Sequence, residues 1–390
     1  MKILLLHNRY TQPGGEDAVF EAEKALLERM GHKAILFVED NARLDGMNPL
    51  KAAQNAIWSW EAQSTLLRLI RETRPNVAHF HNTFLMISPA AYYACKEAKV
   101  PVVQTLHNYR LVCPGSLLMR DGQMCEDCVG KTIPWPGVVH GCWRSSQVGS
   151  AVVATMLAVH HLMKTWQEQV DVYIALTEFA RRKFVEGGLP AEKIVVKPNF
   201  VALDPGKGEH EGNYILFVGR LSPEKGVMTM LRAWKQLKDI PLKIVGDGPL
   251  MEEMQGFVQT EGLKDVEVLG RRPREDVFWL MREARGLMFP SEWYEGFPMT
   301  ITEAFACGLP VIASRLGAMA EIIDDGRTGL HFEPGDPEDL AAKVEWAWSH
   351  PEAMQAMGRE ARREYEEKYT AEWNYKMLMD IYHRAIARYV

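Results

Sequence analysis

The chain has 390 residues, with 45 Lys and Arg against 51 Asp and Glu, a formal net charge of -6 and 47% hydrophobic residues. That composition excludes wholesale disorder, suits two domains each with its own core, and counts against a nucleic-acid-binding protein. The opening Met1-Lys2-Ile3-Leu4-Leu5-Leu6 stops at His7-Asn8-Arg9, too short an apolar run for a signal peptide, and no stretch reaches the roughly 20 apolar residues of a membrane span. The expectation is a cytoplasmic protein, soluble or peripherally bound.

In chain order, short β-rich runs alternate with helical patterns. The first half offers Lys2–Leu6, Ala34–Val38, Val77–Phe80, Val102–Leu106, Val172–Leu176 and Ile194–Lys197. The second offers Tyr214–Val218, Leu242–Gly246, Val266–Leu269, Gly286–Phe289, Pro310–Ala313 and Gly329–Phe332. Most runs are continuous rather than alternating, as expected of parallel strands buried on both faces. Helical stripes lie between them, such as Val19, Phe20, Leu26, Leu27 and Met30, and Val227, Met230, Leu231, Trp234 and Leu237. Alternation with short connections predicts an α/β protein of two open parallel sheets built from right-handed βαβ units. The polar stretch from Asp204 to Gly212 reads as a linker. It divides an N-terminal domain, 1–203, from a C-terminal domain, 204–369, and 370–390 forms a last helix able to pack back on the first domain. Ligands of such sheets bind at the carboxyl ends of the strands, here in a cleft between the domains.

Several nucleotide signatures are missing. No G-x-x-x-x-G-K-[ST] and no G-x-G-x-x-G occurs; Gly246-Asp247-Gly248-Pro249 comes nearest to the latter. This removes most support for a P-loop NTPase or a nicotinamide dehydrogenase. No Asp-x-Asp offers a clamp for a metal-bound diphosphate, so any diphosphate must be neutralised by cationic side chains and helix N-termini. Two loops of the second half supply these. Gly219-Arg220-Leu221-Ser222-Pro223-Glu224-Lys225-Gly226 follows a strand and opens a helix, placing Arg220 and Lys225 at the carboxyl edge of the sheet. The other loop, from Phe289 to Ala304, also joins a strand to a helix. Pro298 suits the first helical position, and the amides of Gly296, Phe297 and Met299 can face an anion. Glu295 precedes that helix and Glu303 lies within it. Ionised carboxylates are pure acceptors and match sugar hydroxyls.

The glutamate pair around Gly-Phe-Pro, the upstream Gly-Arg-Leu-Ser-Pro-Glu-Lys-Gly loop and Val-Gly-Asp-Gly-Pro between them resemble the retaining family-4 glycosyltransferases. Gly14-Gly15 and Leu106-His107-Asn108 fit the same pattern, and the resemblance covers nearly the whole chain, above all Tyr214 to Phe332. It implies the GT-B fold of two Rossmann-like domains facing across a cleft, and a bacterial polysaccharide-type member. It implies that Arg220 and Lys225 hold the donor diphosphate, that Glu295 meets the transferred sugar and Glu303 the ribose, and that Gly219, Gly296, Phe297, Pro298 and Met299 line the donor. Gly270, Arg271 and Arg272 fall where the base would sit. His107 matches a histidine near the reacting centre, and Gly15 would bring its amide to phosphate or acceptor. The implied donor is a UDP- or GDP-sugar, used without a catalytic metal. The acceptor would be a saccharide or lipid-linked molecule, no nucleic acid is a partner, and the apolar stretch Val148–Trp166 offers peripheral membrane contact or, more simply, a packed helix. A GT-B nucleotide-sugar epimerase and a non-catalytic nucleotide-sugar-binding protein are the rival readings.

Three further features stand beside this. Glu16 and Asp17 suit capping of the first helix. His79 and His81 occupy alternate strand positions and so face one way, as a metal pair or, more simply, as a strand-end or acceptor contact. Cys113, Cys125, Cys128 and Cys142 are separated by eleven, two and thirteen residues in a loop-rich insert, 113–142. In a reducing compartment this pattern suits a structural zinc or free thiols before disulfides.

Overall fold

The computed structural model describes residues 1–11 and 14–389. The chain divides into two compact units, one of Met1–Leu118, Cys125–Asn199 and Ala371–Val390, the other of Met119–Met124 and Phe200–Thr370.

In the first unit the strands are β1 (Lys2–Arg9), β2 (Lys33–Asp40), β3 (Val77–Phe80) and β4 (Val102–Leu106). Met119–Met124, which belongs to the second unit, forms a two-stranded antiparallel hairpin of β5 (Met119–Arg120) and β6 (Gln123–Met124), and the first unit resumes with β7 (Val172–Ala175) and β8 (Ile194–Val196). Apart from the hairpin these strands form one parallel sheet in the order β2-β1-β3-β4-β7-β8. Ile3 to Leu6 are fully buried, which accounts for an unbroken apolar run where a one-sided strand would alternate. The helix Gly15–Arg29 lays Phe20 and Leu27 on this sheet, and the final helix Ala371–Ile386 adds Leu378, Ile381 and Tyr382 to the same core.

The second unit repeats the plan with β9 (Ile215–Val218), β10 (Leu242–Val245), β11 (Val266–Gly270), β12 (Gly286–Phe289), β13 (Val311–Ser314) and β14 (Gly329–Phe332). Its sheet is wholly parallel, in the order β11-β10-β9-β12-β13-β14. Two cores sandwich it: Leu216 faces one and Ile215 and Phe217 the other. All twelve strands expected from the apolar runs are present. The order reverses between β9 and β12, and a crevice at such a reversal is where doubly wound sheets bind ligands. In the first unit the same reversal lies between β1 and β3.

One expectation needs correction. The stretch after Asp204 is no free linker but is bound onto the second unit. Gly208 N–H donates to the Cys307 carbonyl, His210 bonds the carbonyls of Ala284 and Cys307, and Arg362 holds Asp204. The helix Gln147–Leu162, within the stretch weighed for membrane contact, buries Val153, Met156, Leu157 and His160 and leaves Val148 and Leu162 exposed. Among the described residues no helix is long and apolar enough to cross a membrane.

Close backbone approaches fix the loops at the second reversal. Gly226 has φ +66°, and a Cβ there would lie 1.8 Å from the Pro290 carbonyl oxygen, beyond the end of β12. A Cβ on Gly246, φ +151°, would lie 1.8 Å from the carbonyl oxygen of Gly219. Gly226→Ala should therefore destabilise the protein by at least about 2 kcal/mol, since both backbone strain and a clash oppose it. A urea midpoint equal to that of the wild type would contradict this packing.

Candidate active site

The loop after β9 and the loop after β12 meet at the reversal of the second sheet. Lys225 ends a short 3-10 turn, Pro223–Lys225, and its Nζ lies 2.6 Å from Oε1 of Glu295. The same carboxylate oxygen accepts from the Ser291 hydroxyl at 2.6 Å. Ser291 and Glu295 are buried, and Lys225 also lies over the rings of Phe289 and Trp293 at 5.7 and 5.5 Å. A main-chain bond from Glu292 N–H to the Glu224 carbonyl ties the loops together, and Thr229 donates to Glu292. Arg220 is exposed on the same loop as Lys225, with no carboxylate paired to it among the described residues. The arrangement presents one guided ammonium and one open guanidinium to an anion, at the carboxyl edge of the sheet.

The helix Met299–Cys307 begins one residue later than expected. Pro298, with ψ 87°, is its N-cap and not its first helical residue. The amides of a first helical turn have no acceptor within the helix, so this end still offers donors to an anion. Phe297 packs edge-on against Tyr369 at 6.1 Å and is partly buried against the core. Glu303, on the helix, pairs with Arg274 at 2.8 Å. Burial pushes the Glu303 carboxyl up, and the guanidinium pulls partly against that. Val218, Arg271, Arg272, Pro273, Arg274, Val277 and Glu303 line one open groove. Gly270, at φ +68°, ends β11 and turns the chain into the two exposed arginines. The structure thus brings Arg271 and Glu303 to one groove and adds Arg274.

In the first unit, His107 follows β4 and lines a polar cavity with His81, Asn82, Thr83, Thr105, Asn108 and Arg110. Its Nε2 is 3.0 Å from Nδ1 of His81, the rings stacked. Burial lowers the His107 imidazole to about 3, so it is neutral at physiological pH. Gly15 is the exposed first residue of its helix, with open space about it. The two acidic neighbours of Gly15 part company. Asp17 accepts from the Gly14 N–H at 2.8 Å, as a cap, and also bonds Nε2 of His7 at 2.8 Å. Glu16 does not cap; it turns inward to Asn108 Nδ2 at 3.2 Å and the Tyr10 hydroxyl at 3.4 Å. Burial and then the charge of Asp17 push the Glu16 carboxyl up to about 8. His79 and His81 do lie on one face, beside a buried Glu23 that holds Lys197 at 2.6 Å.

No disulfide joins the four cysteines of the insert. Cys125 and Cys128 follow the β5/β6 hairpin, while the Cβ position of Gly115 lies 3.8 Å from Cys113 Sγ and 3.4 Å from Cys142 Cβ. Burial, and then the nearby Cys113, Cys142 and Cys125, pushes the Cys128 thiol up to about 12 against a bond from Gly137 N–H. The sulfurs are neighbours without being closed to ligand distance. Among the described residues the one group of three metal-capable side chains with ligand atoms within 4.8 Å is Glu23, His79 and His81.

Sequence reasoning missed Ser291, Arg274, Glu23 and Lys197. One of these had a signal: Glu23 sits four residues after Val19 and four before Leu27, a charge on the apolar stripe of a helix, and such a charge needs a buried partner.

A model of Glycosyltransferase Family 4 matches residues 14–205, and a model of glycosyl transferases group 1 matches residues 204–364. The D-rhamnosyltransferase WbpZ of Pseudomonas aeruginosa is 35% identical over 40% of this chain and 42% of its own length. The O-antigen chain mannosyltransferase C of Escherichia coli is 30% identical over 44% of this chain and 46% of its own. The chain thus spans under half the length of each of these relatives. The structure of Anabaena HepE in complex with UDP and glucose superposes with a TM-score of 0.69 at 18% identity, covering 97% of this chain and 98% of that one.

The inward Glu16 has a measurable consequence. Its carboxyl is raised above the ordinary value of 4.5 to about 8, so the folded state keeps a proton that the unfolded chain has released. Stability from this group is full below about pH 4.5 and is lost as pH rises towards 8, by up to about 5 kcal/mol. Glu16→Gln should match the wild type at low pH and become progressively more stable than it up to pH 8, read by chemical denaturation. Parallel pH profiles for the two proteins would contradict the assignment.

Proposed function

The chain belongs to glycosyltransferase family 4, and from this we propose that it moves a sugar from a nucleoside-diphosphate sugar to a saccharide or lipid-linked acceptor. The process would be surface-polysaccharide or glycolipid assembly, and the sugar would keep its anomeric configuration. The observation that carries the reading is the ammonium of Lys225, held 2.6 Å from Glu295 at the reversal of the second sheet with the exposed Arg220 on the same loop.

Cleavage of the bond between the anomeric carbon and the phosphate oxygen leaves positive character on the sugar and negative charge on the departing diphosphate. Fixed cations aimed at that charge lower the barrier, by about 3 kcal/mol for each well-placed donor. Lys225 and Arg220 take this role, with the amides at the start of the helix Met299–Cys307. Lys225 exchanges part of its bond with Glu295 for the phosphate, which frees the Glu295 carboxylate to accept from sugar hydroxyls. Glu303 accepts from the ribose, and Arg271 and Gly270 border the base. The acceptor oxygen attacks from the side the diphosphate leaves, forms the new bond to the anomeric carbon, and passes its proton to the leaving phosphate. His107 meets the sugar as a neutral imidazole, and Gly15 offers a main-chain approach to phosphate or acceptor. The absence of an Asp-x-Asp clamp from the sequence supports a reaction that needs no divalent metal.

For the insert, the proposal is one structural zinc on Cys113, Cys125, Cys128 and Cys142, outside the chemistry. Tetrahedral thiolate ligation needs Zn–S distances of about 2.3 Å, so uptake would draw the sulfurs together and release their protons. Protein prepared without added metal should contain close to one zinc per chain. A content near zero, with all four thiols titratable in the native state, would contradict it.

Lys225→Ala and Arg220→Ala should each slow transfer by about 100-fold or more; Arg220→Ala should leave the urea midpoint close to that of the wild type, whereas Lys225→Ala should lower it, because Glu295 loses its buried cation. Initial rates over a panel of nucleotide sugars check this. Near-normal turnover in both variants would remove the diphosphate assignment.

A further inference from the structure

Behind His107 the first unit buries a continuous polar chain that the reaction as described does not use. His107 Nε2 lies 3.0 Å from His81 Nδ1, and His81 Nε2 lies 3.4 Å from Glu23 Oε2. The other oxygen of Glu23 holds the Lys197 ammonium at 2.6 Å. Glu23, His79 and Lys197 are wholly buried and His81 nearly so. Burying this much polarity is costly unless the groups satisfy one another. Neither His81 Nε2 nor Glu23 Oε2 makes a hydrogen bond in the structure; they face each other at 3.4 Å as a close electrostatic contact, with His79 Nδ1 3.8 Å from the same oxygen.

The directions of these bonds follow from charge. Burial pushes the Glu23 carboxyl up, but the Lys197 ammonium in contact with it outweighs this and keeps it ionised. An ionised carboxylate repels a facing lone pair and attracts a facing N–H, so the charge of Glu23 at 3.4 Å favours the proton of His81 on Nε2. His81 Nδ1 is then a bare acceptor, and His107 must donate to it from Nε2. The opposite set of tautomers would oppose the His81 lone pair to a buried carboxylate. With its proton on Nε2, neutral His107 has an acceptor at Nδ1, for which no partner exists among the described residues, in the cavity it lines.

A divalent cation on Glu23, His79 and His81 fits the same atoms less well. The Lys197 ammonium already occupies Glu23, and both nitrogens of His79 are engaged, one by the Tyr382 hydroxyl and one by Thr105, each at 2.8 Å.

We propose that Glu23, clamped by Lys197, acts through His81 as a positioning chain that holds His107 in its Nε2-protonated form, leaving Nδ1 as a fixed acceptor for a hydroxyl of the sugar. The proposal rests on the reading that His107 meets the sugar. Glu23 and His81 touch no substrate; they set which hydrogen bond His107 can make, and a wrong tautomer turns an acceptor into a donor.

Glu23→Gln tests this without changing shape. Lys197 keeps the amide oxygen, so the amide N–H groups face His81 Nε2 and both histidines must exchange tautomers. Long-range proton–nitrogen correlation spectra of protein labelled with nitrogen-15 histidine report the tautomers directly. Expected are an Nε2-protonated, neutral His107 in the wild type, and an Nδ1-protonated His107 in Glu23→Gln with turnover lowered about 10- to 100-fold. Three results would overturn the chain: an Nδ1-protonated His107 in the wild type, an unchanged His107 in Glu23→Gln, or wild-type protein with stoichiometric metal lost in His79→Ala. The wild-type spectrum decides even if the variant does not fold. Normal turnover in His107→Ala would instead remove the sugar contact, whatever the tautomer. Impaired His107→Ala beside fully active Glu23→Gln would leave the contact standing and remove the chain.

Discussion

The contact between Lys225 and Glu295, 2.6 Å across two loops of the second sheet, is the constraint on which the site depends. It exists because β9 and β12 are neighbours in the sheet although far apart in sequence, so the loops that leave their carboxyl ends run side by side. It is held by a glycine without which the main chains could not approach, Gly226 over Pro290. The pair also solves an electrostatic problem. A carboxylate as buried as Glu295 needs a cation and a hydroxyl, and Lys225 and Ser291 are both on the same oxygen. An arriving diphosphate finds a lysine already aimed and partly desolvated, so little reorganisation is needed when charge develops on it.

The first unit solves a different problem with the same fold. Around its reversal, between β1 and β3, a neutral imidazole and a protonated carboxyl stand where the second unit presents Lys225 and the exposed Arg220. Burial holds the His107 imidazole uncharged and Glu16 protonated up to about pH 8. Such groups discriminate by the direction of a hydrogen bond and not by charge, which suits sugar hydroxyls better than phosphates. Two sheets of one design thus present opposite chemistries, and family membership accounts for the shared design without dictating these side-chain details.

The strands were legible because parallel strands buried on both faces read as unbroken apolar runs, and all twelve were placed within a few residues. The hairpin β5/β6 was not, since two-residue strands carry no periodicity. Composition misjudged the stretch after Asp204. Its glycines suggested freedom, yet Gly208 is there because a Cβ would lie 2.1 Å from the Arg282 carbonyl oxygen. Glu16 and Asp17 looked alike as acidic residues at a helix start. Only the helix geometry separates them, turning Asp17 back to the Gly14 amide and Glu16 inward. The pairs Arg274–Glu303 and Glu23–Lys197 join residues far apart in the chain, and nothing local records them.

The central claim is that fixed cations at the second reversal support departure of the diphosphate while the acceptor attacks from the same side. Its most direct measurement is proton NMR of the anomeric signal during turnover of a nucleotide sugar with no divalent metal added. The account predicts that product forms and that its new linkage has the anomeric configuration of the donor. A product of inverted configuration, or no product until a divalent metal is supplied, would contradict it.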